Sequence, residues 1–373
     1  MAIILKNADV WCGSFHPQKT DIKIENGKIS ALGNFENEDG IDLSGMTVVP
    51  GFIDIHIHGG QMADSSSGNT EEIQTISRYL SKRGITSFCP TTMTLPNKTL
   101  KEAFAAVKSC MGNEDGAYIH GINMEGPYIS LSKKGAQAAE YVRKPDIEEF
   151  LQLNSACPIK LVDIAPEVDG AIEFAKQAAK ICTVSAAHTA ASYAQARLGF
   201  ENGFSHATHL FNAMTPIQNR EPGVPAAVFE SESVMAELIC DGFHNHPATL
   251  RMAFKLLGED RAIVISDSMS AAGMTDGEYK LGGQTVYVKD GKATLADGTI
   301  AASTTNVFEE FKNLLKFGID FRTALKACKI NPAKAIGAQN YTGSIEIGKN
   351  ADLLIIDGNL DIKAVYIKGK AVL

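Results

Sequence analysis

Val48-Val49-Pro50-Gly51-Phe52-Ile53-Asp54-Ile55-His56-Ile57-His58-Gly59-Gly60 is an apolar run that finishes in two histidines and stops at two glycines. Alternation along a strand puts His56 and His58 on one face, two residues apart, where they can share one metal ion. A histidine pair at the carboxyl end of an early strand is what a metal-dependent hydrolase on a (β/α)8 barrel requires, because such barrels collect their chemistry at that face. The competing reading is a half-buried strand with two incidental histidines, and the residues downstream decide between them.

Beyond this run, short apolar strands alternate with amphipathic helices. Strands are expected at 52–58, 86–90, 118–124, 160–165, 181–187, 205–209, 234–240 and 262–267, with helices at 70–82, 101–109, 171–180 and 249–257 among them. That is the strand count of an α/β chain folded as a (β/α)8 TIM-type barrel. The alternative, a doubly wound open sheet, would carry a glycine-rich phosphate loop after its first strand, and none follows here. A β-hairpin insertion is expected near 279–295, turning at Asp290-Gly291, and closing helices at 308–317 and 324–335. The ends of the chain differ from the middle. Ile22-Lys23-Ile24-Glu25 alternates, Asn26-Gly27 makes a two-residue turn, and Ile29-Ser30-Ala31-Leu32 returns. Residues 351–357 form an apolar run, Gly358-Asn359 turns, and Ala364-Val365-Tyr366-Ile367 follows. Residues 1–50 and 345–373 therefore read as one discontinuous small β-sandwich domain around a barrel at 51–344.

With 373 residues, 45% of them apolar, the chain can bury a large core. A formal charge of −8 without a lysine or arginine cluster excludes a nucleic-acid or membrane-surface footprint, so an anionic substrate must meet local cations. Seven scattered cysteines without Cys-x-x-Cys spacing argue against disulfides or a thiolate zinc site and for a cytoplasmic protein. The amino-terminal residues are charged too early for a signal peptide, and no apolar stretch is long enough to span a membrane.

The polar residues at the expected strand ends carry the chemistry. Glu125 closes the third strand just before Gly126-Pro127, an expensive place for a carboxylate unless it binds something; a solvated loop acid is the alternative. His188 follows Thr183-Val184-Ser185-Ala186-Ala187, and His209 closes His206-Ala207-Thr208-His209. His206 and His209 lie three apart, so one of them enters the site, and His209 sits nearer the strand's end. With Glu125 these residues make a nitrogen-and-oxygen donor set with open positions, as a catalytic metal site demands. Zinc comes first, with iron, manganese or cobalt as alternatives, at one or two ions per subunit. Asp267 ends the eighth strand, where a carboxylate beside a metal-activated water can take a proton and return it to a leaving group. A helix N-cap is its other reading. No Gly-x-Ser-x-Gly elbow occurs, which disfavours a covalent serine mechanism. His16, His120 and His246 read as surface or core histidines.

Over nearly its whole length the chain resembles the amidohydrolase superfamily and, more narrowly, its amino-sugar phosphate deacetylase branch. The resemblance rests on 50–60, Pro90-Thr91-Thr92, Glu125-Gly126-Pro127, Ala165-Pro166-Glu167, 207–214, Arg220-Glu221-Pro222-Gly223, 267–273, 276–279, Asn331-Pro332-Ala333 and 348–353. It implies hydrolysis of the acetamide of N-acetylglucosamine 6-phosphate, with Glu125, His188 and His209 holding the main metal and Asp267 shuttling protons. It also implies substrate contacts at Ala136, Gln137, Asn212, Ala213, Arg220, at Asp241 through His244, and at Ile300, Ala301 and Ala302. Arg220 would serve the neighbouring subunit's site, which implies a homodimer, and a guanidinium suits a sugar phosphate. The same substrate class on the galacto epimer, another N-acylated small molecule, and a non-catalytic oligomeric scaffold are the rival readings. Asn123 and Gln137 stand where relatives of this branch carry histidines, and Gln137 can still donate a hydrogen bond. His56 and His58, which some members lack, make room for a second ion bridged through Glu125.

Overall fold

The computed structural model describes residues 2–373. Its central sheet is built from β1 (Phe52–Ile57), β2 (Ile85–Thr92), β3 (Tyr118–Ile119 and Ile122–Glu125), β4 (Ile159–Ile164), β5 (Thr183–Ala186), β6 (Phe204–Ala207), β7 (Met235–Leu238) and β8 (Ala262–Val264). Each strand pairs in parallel with the next. The ring is drawn together where the Asp267 amide donates to the His56 carbonyl at 2.9 Å, giving a nearly closed (β/α)8 barrel. Because crossover helices cover such a sheet, its strands are buried on both faces and read as continuous apolar runs.

Apolar packing explains why the barrel's chemistry sits at one end. Phe52 turns outward, wholly buried, and meets Phe308 and Phe311 edge-on with ring centroids 5.2 and 5.3 Å away. Ile53, Ile55, Leu161, Ile263 and Ile265 pack with Ala333, Ala335 and Ile336 of the closing segment. That segment meets the amino end of β1, where the Ile53 amide donates to the Cys328 carbonyl at 3.1 Å. One mouth of the barrel is thus filled with hydrocarbon, leaving the carboxyl ends for polar groups.

The two ends of the chain form two sheets that share a core of Leu5, Val10, Ile22, Ile24, Val48, Leu353 and Ile355. One sheet contains Ile3–Lys6, Asp21–Glu25, Lys28–Gly33 and Ile41–Asp42. The other joins the termini directly, with Leu353–Ile356 antiparallel to Thr47–Pro50 in the register Leu353↔Pro50 to Ile356↔Thr47. Asn26 and Gly27 both adopt positive φ (51° and 78°), the mirror-image turn that a two-residue hairpin prefers. Thr47–Pro50 then runs through Gly51 into β1, so the sandwich fixes the start of the strand that carries both leading histidines. Met1, the first residue of the expected sandwich, lies outside the described residues.

Three expectations need correction. The strand expected at 118–124 is broken at His120-Gly121, where Gly121 has φ 145° and a Cβ would stand 2.5 Å from the Pro158 carbonyl oxygen. The insertion expected as a hairpin is a three-stranded meander, Gly277–Leu281, Gln284–Lys289 and Lys292–Thr294, because Gly282-Gly283 supplies a turn as well as Asp290-Gly291. The closing helix expected at 324–335 is two helices, Phe321–Ala327 and Ile330–Ala335. Lys329 between them has non-helical φ −136° and ψ −81°, and Pro332 brings no amide hydrogen to bond back across the gap.

Candidate metal centre and active site

Strand ends deliver every charged group of the centre. Glu125 is the last residue of β3, His56 lies in β1, and His58 directly follows that strand. His188, His209 and Asp267 come two or three residues beyond β5, β6 and β8 and have φ of 42°, 30° and 46°. Left-handed backbone is uncommon for residues with a Cβ and concentrates where the fold has to aim a side chain. Here it turns three chemically active side chains out of the strand direction and toward one point. The strained geometry is held from both sides at Asp267, whose amide donates to His56 and whose carbonyl accepts from the Ser303 amide at 2.9 Å. Gly59 is required just past His58, since a Cβ there would lie 2.1 Å from the Ala63 carbonyl oxygen.

Glu125 is the hub. Its Oε1 is 3.0 Å from His188 Nε2, 3.2 Å from His209 Nε2 and 3.5 Å from His56 Nε2, while the two nitrogens of His188 and His209 approach to 3.3 Å. Its Oε2 lies 3.4 Å from His58 Nε2, which in turn is 3.3 Å from Asp267 Oδ1. His56 Nε2 stands 3.7 Å from the same Asp267 oxygen. Three donor groupings result, Glu125–His188–His209, His56–His58–Asp267 and His56–Glu125–Asp163.

The far nitrogens of three rings face oxygen acceptors: His188 Nδ1 meets the Lys133 carbonyl at 2.9 Å, His58 Nδ1 the Thr91 carbonyl at 3.3 Å, and His56 Nδ1 Glu237 Oε2 at 3.1 Å. A neutral imidazole bonded through Nδ1–H presents its Nε2 lone pair, and in that form these rings point electron pairs at Glu125, whereas a second ring proton turns the same contacts into hydrogen bonds. His56 Nε2 is fully buried and has no hydrogen-bond partner. Converging lone pairs and carboxylate oxygens repel one another unless a cation lies between them, so the donor set fits a divalent metal ion.

The electrostatics agree. Burial pushes the Glu125 carboxyl up, but the His188 charge and hydrogen bonds from His188 and His209 outweigh it and hold it well below the usual range. Burial pulls His58 down, yet its bonds to Asp267 and Glu125 raise it to about 9. Buried carboxylates at this point demand positive charge, which protons on the histidines or a metal ion can supply.

A cavity of about 420 Å³ opens onto this centre, within the range of small-ligand sites. His58, Glu125, His188, His209 and Asp267 form its floor, and Ala136, Gln137, Asn212, Ala213, His244, Ile300 and Ala301 are among its walls. Gln137 donates its amide NH2 to Glu125 Oε2 while its Oε1 accepts from the Thr94 amide at 2.7 Å, so it braces the Glu125 carboxylate. Asp241 is set back and holds His244 Nδ1 at 2.7 Å. Ala302 is buried just behind the wall, and Arg220 is exposed on the loop after Met214, apart from this chain's own cavity. Asn123 donates to the Ile55 carbonyl at 3.1 Å inside the barrel.

Sequence reasoning missed two buried acids and one base. Asp163 lies in β4 and Glu237 in β7, both fully buried and both facing His56 Nδ1, at 3.9 and 3.1 Å. An acid inside an apolar run, as in Leu161-Val162-Asp163-Ile164, was the available signal. Lys133 lines the cavity beside Ser132, on a short 3-10 turn with no strand pattern to mark it.

Residues 47–372 match the model of the amidohydrolase family. An N-acetylglucosamine-6-phosphate deacetylase of Bacillus subtilis (strain 168) is 35% identical over 330 residues, covering 86% of this chain and 83% of that protein. An N-acetylgalactosamine-6-phosphate deacetylase of Escherichia coli O157:H7 is 31% identical, covering 86% of each. The crystal structure of a Mycobacterium smegmatis N-acetyl-D-glucosamine-6-phosphate deacetylase, an aspartate-to-alanine mutant in complex with N-acetyl-D-glucosamine 6-phosphate, superposes with a TM-score of 0.92 at 31% identity, covering 100% of this chain and 99% of that one. On its centre, its fold and these likenesses, the chain belongs to the amidohydrolase family, in the branch that the N-acetylglucosamine-6-phosphate deacetylases make up.

Proposed function

We propose that this protein hydrolyses the acetamide of N-acetylglucosamine 6-phosphate to glucosamine 6-phosphate and acetate. The observation that carries this reading is the buried Glu125–His188–His209 set, joined by Asp267 at the floor of a 420 Å³ cavity, in a chain similar end to end to enzymes of that name.

A divalent ion held by Glu125, His188 and His209 would polarise the acetyl carbonyl and lower the pKa of water. The protein supplies the proton chemistry. Burial pushes the Asp267 carboxyl up, but its bond to His58 and the charges of His56, His58 and His209 pull it below the usual range, so it is an ionised acceptor at neutral pH. It takes one proton from the attacking water and gives it to the departing amine nitrogen, leaving the sugar amine and acetate. Gln137 and His188, anchored on Thr94 and on the Lys133 carbonyl, keep Glu125 in place through the reaction. Zinc, iron, manganese and cobalt all suit these nitrogen and oxygen donors, zinc being our first assignment.

The phosphate needs cations. Lys133 and His244 line the cavity, and we assign Arg220 to the partner's cavity in a homodimer, which its exposed position away from its own site supports. Ala302 and Asp241 would act through the neighbours they hold, Ala301 and His244. Among the described residues no helix is long and apolar enough to cross a membrane, and seven free cysteines fit a reducing cytoplasm.

Acetate release from N-acetylglucosamine 6-phosphate, its galacto epimer and an N-acetylated amino acid tests this. We expect the glucosamine compound to be the best substrate, loss of turnover after chelation, and recovery on adding Zn²⁺. Faster release from the epimer would move the substrate to the galacto series; no release from any of them would overturn the reading.

A further inference from the structure

Glu237 sits in the middle of β7, wholly buried and outside the cavity wall. Its Oε2 is 3.1 Å from His56 Nδ1 and accepts from the His209 amide at 3.3 Å, while its Oε1 is 3.2 Å from His206 Nε2. The other acid near His56 is too far to compete: Asp163 Oδ2 stands 3.9 Å from Nδ1, beyond hydrogen-bond reach. Across the ring, Nε2 is buried without a hydrogen-bond partner, 3.5 Å from Glu125 Oε1 and 3.7 Å from Asp267 Oδ1.

We infer that Glu237 is a positioning residue that fixes His56 as its Nδ1–H tautomer and thereby decides whether the His56–His58–Asp267 grouping takes a divalent ion in addition to the one at Glu125–His188–His209. The inference rests on the metal centre of the proposed function and adds a control element to it. A neutral imidazole has one ring hydrogen. Donated to Glu237 from Nδ1, it leaves the Nε2 lone pair facing the cation position. Moved to Nε2, it would set the Nδ1 lone pair against a carboxylate at 3.1 Å and aim an N–H at the position a cation needs. The carboxylate also makes the imidazole a stronger donor, as carboxylate partners of metal-bound histidines do. Glu237 thus works through His56 and touches no substrate.

Glu237→Gln tests this, because the amide keeps the volume but has one acceptor oxygen to divide among His56, His206 and the His209 amide. The metal-free full-length protein is titrated with Co²⁺ and followed by its visible spectrum. We expect wild type to take two equivalents, and E237Q to bind the second about 10- to 100-fold more weakly, the usual cost of losing such a partner, with the first weakened much less because Glu237 meets that grouping only through the His209 amide. His206→Gln removes the other partner of Glu237 and should leave both equivalents in place. A wild-type second equivalent in E237Q, equal weakening of both, or uptake of one equivalent by wild type overturns the inference. A second measurement needs no altered centre: nitrogen-15 histidine spectra of the Zn²⁺-loaded wild type, with the His56 signals identified by their absence in His56→Gln, should show hydrogen on Nδ1. Hydrogen on Nε2 overturns it equally. Acetate release by the wild type is scored separately, so failure of the deacetylase reading is distinguishable from failure of this one.

Discussion

Replacing Asp267 with Asn isolates proton transfer from every other role of that residue. The backbone there has φ 46°, which Asn tolerates about as well as Asp, whereas Ala would add roughly 1–2 kcal/mol of left-handed strain. Asn also keeps a side-chain oxygen near His58 Nε2, now 3.3 Å from the Asp267 carboxylate. The Glu125–His188–His209 grouping does not include position 267, so that grouping should keep its metal. What disappears is an ionised acceptor. A positioned general base contributes about 10²- to 10⁴-fold, roughly 3–5 kcal/mol of barrier, and kcat should fall by that factor. Acetate release at saturating N-acetylglucosamine 6-phosphate, with elemental analysis of the same sample, is the assay. The pH profile adds a second reading: a general base must be ionised, so wild-type activity should fall on the acid side as the Asp267 carboxylate takes up a proton. This acid limb should vanish in the variant. A kcat within about tenfold of wild type, with metal retained, would refute the proton-transfer role.

Two further predictions concern the scaffold. His120 is buried against Tyr118 and bonded through Nδ1 to the Tyr341 hydroxyl; burial, helped by the charges of Lys160 and Lys368, lowers its pKa to about 3. Because that lies below its ordinary value of 6.5, the unfolded chain binds the proton first and stability is lost as pH falls from about 6.5 toward 3. At pH 5 the loss from this one group should be about 2 kcal/mol, and His120→Phe should show a correspondingly smaller drop in urea midpoint between pH 7.5 and pH 5; equal drops in both proteins would refute the assignment. Phe52→Ala should cost about 3–5 kcal/mol in urea unfolding, since it empties a fully buried site between Phe308, Phe311 and Lys329, whose Nζ lies 3.3 Å from the ring centroid. A cost below about 1 kcal/mol would mean that the helices close over the gap.

The sequence disclosed the barrel because its evidence is local. Most buried strands are short apolar runs, and the polar residues that meet at the centre close several of them, as Glu125, His188, His209 and Asp267 do. The third strand of the insertion, Lys292–Thr294, escaped notice because three residues carry too little alternation to register. The break in β3 was written as Gly121, but a glycine inside an apolar run marks a close approach without saying to what.

The metal centre divides along the same line. Which residues meet around Glu125 could be expected from residue type and position, whereas how their side chains are aimed could not. His188, His209 and Asp267 all have left-handed backbone, and at Asp267 it is held by a bond to a strand more than two hundred residues earlier in the chain. Glu237 shows the limit most sharply. An acid in Met235-Ala236-Glu237-Leu238 must have a partner, since burying it alone would cost several kcal/mol. Its partners are the His209 amide, 28 residues away, His206, 31 residues away, and His56, 181 residues away, and no spacing rule connects them. Burial cost therefore says from the sequence that a strand-interior acid is engaged, and only the folded ring says that it is engaged with the first histidine of the opening pair. The same logic ranks that pair: His58 is anchored on a backbone carbonyl that any side chain at Thr91 would provide, while His56 depends on one side chain across the barrel. Variation at position 237 should accordingly affect His56 and spare His58, Glu125, His188 and Asp267.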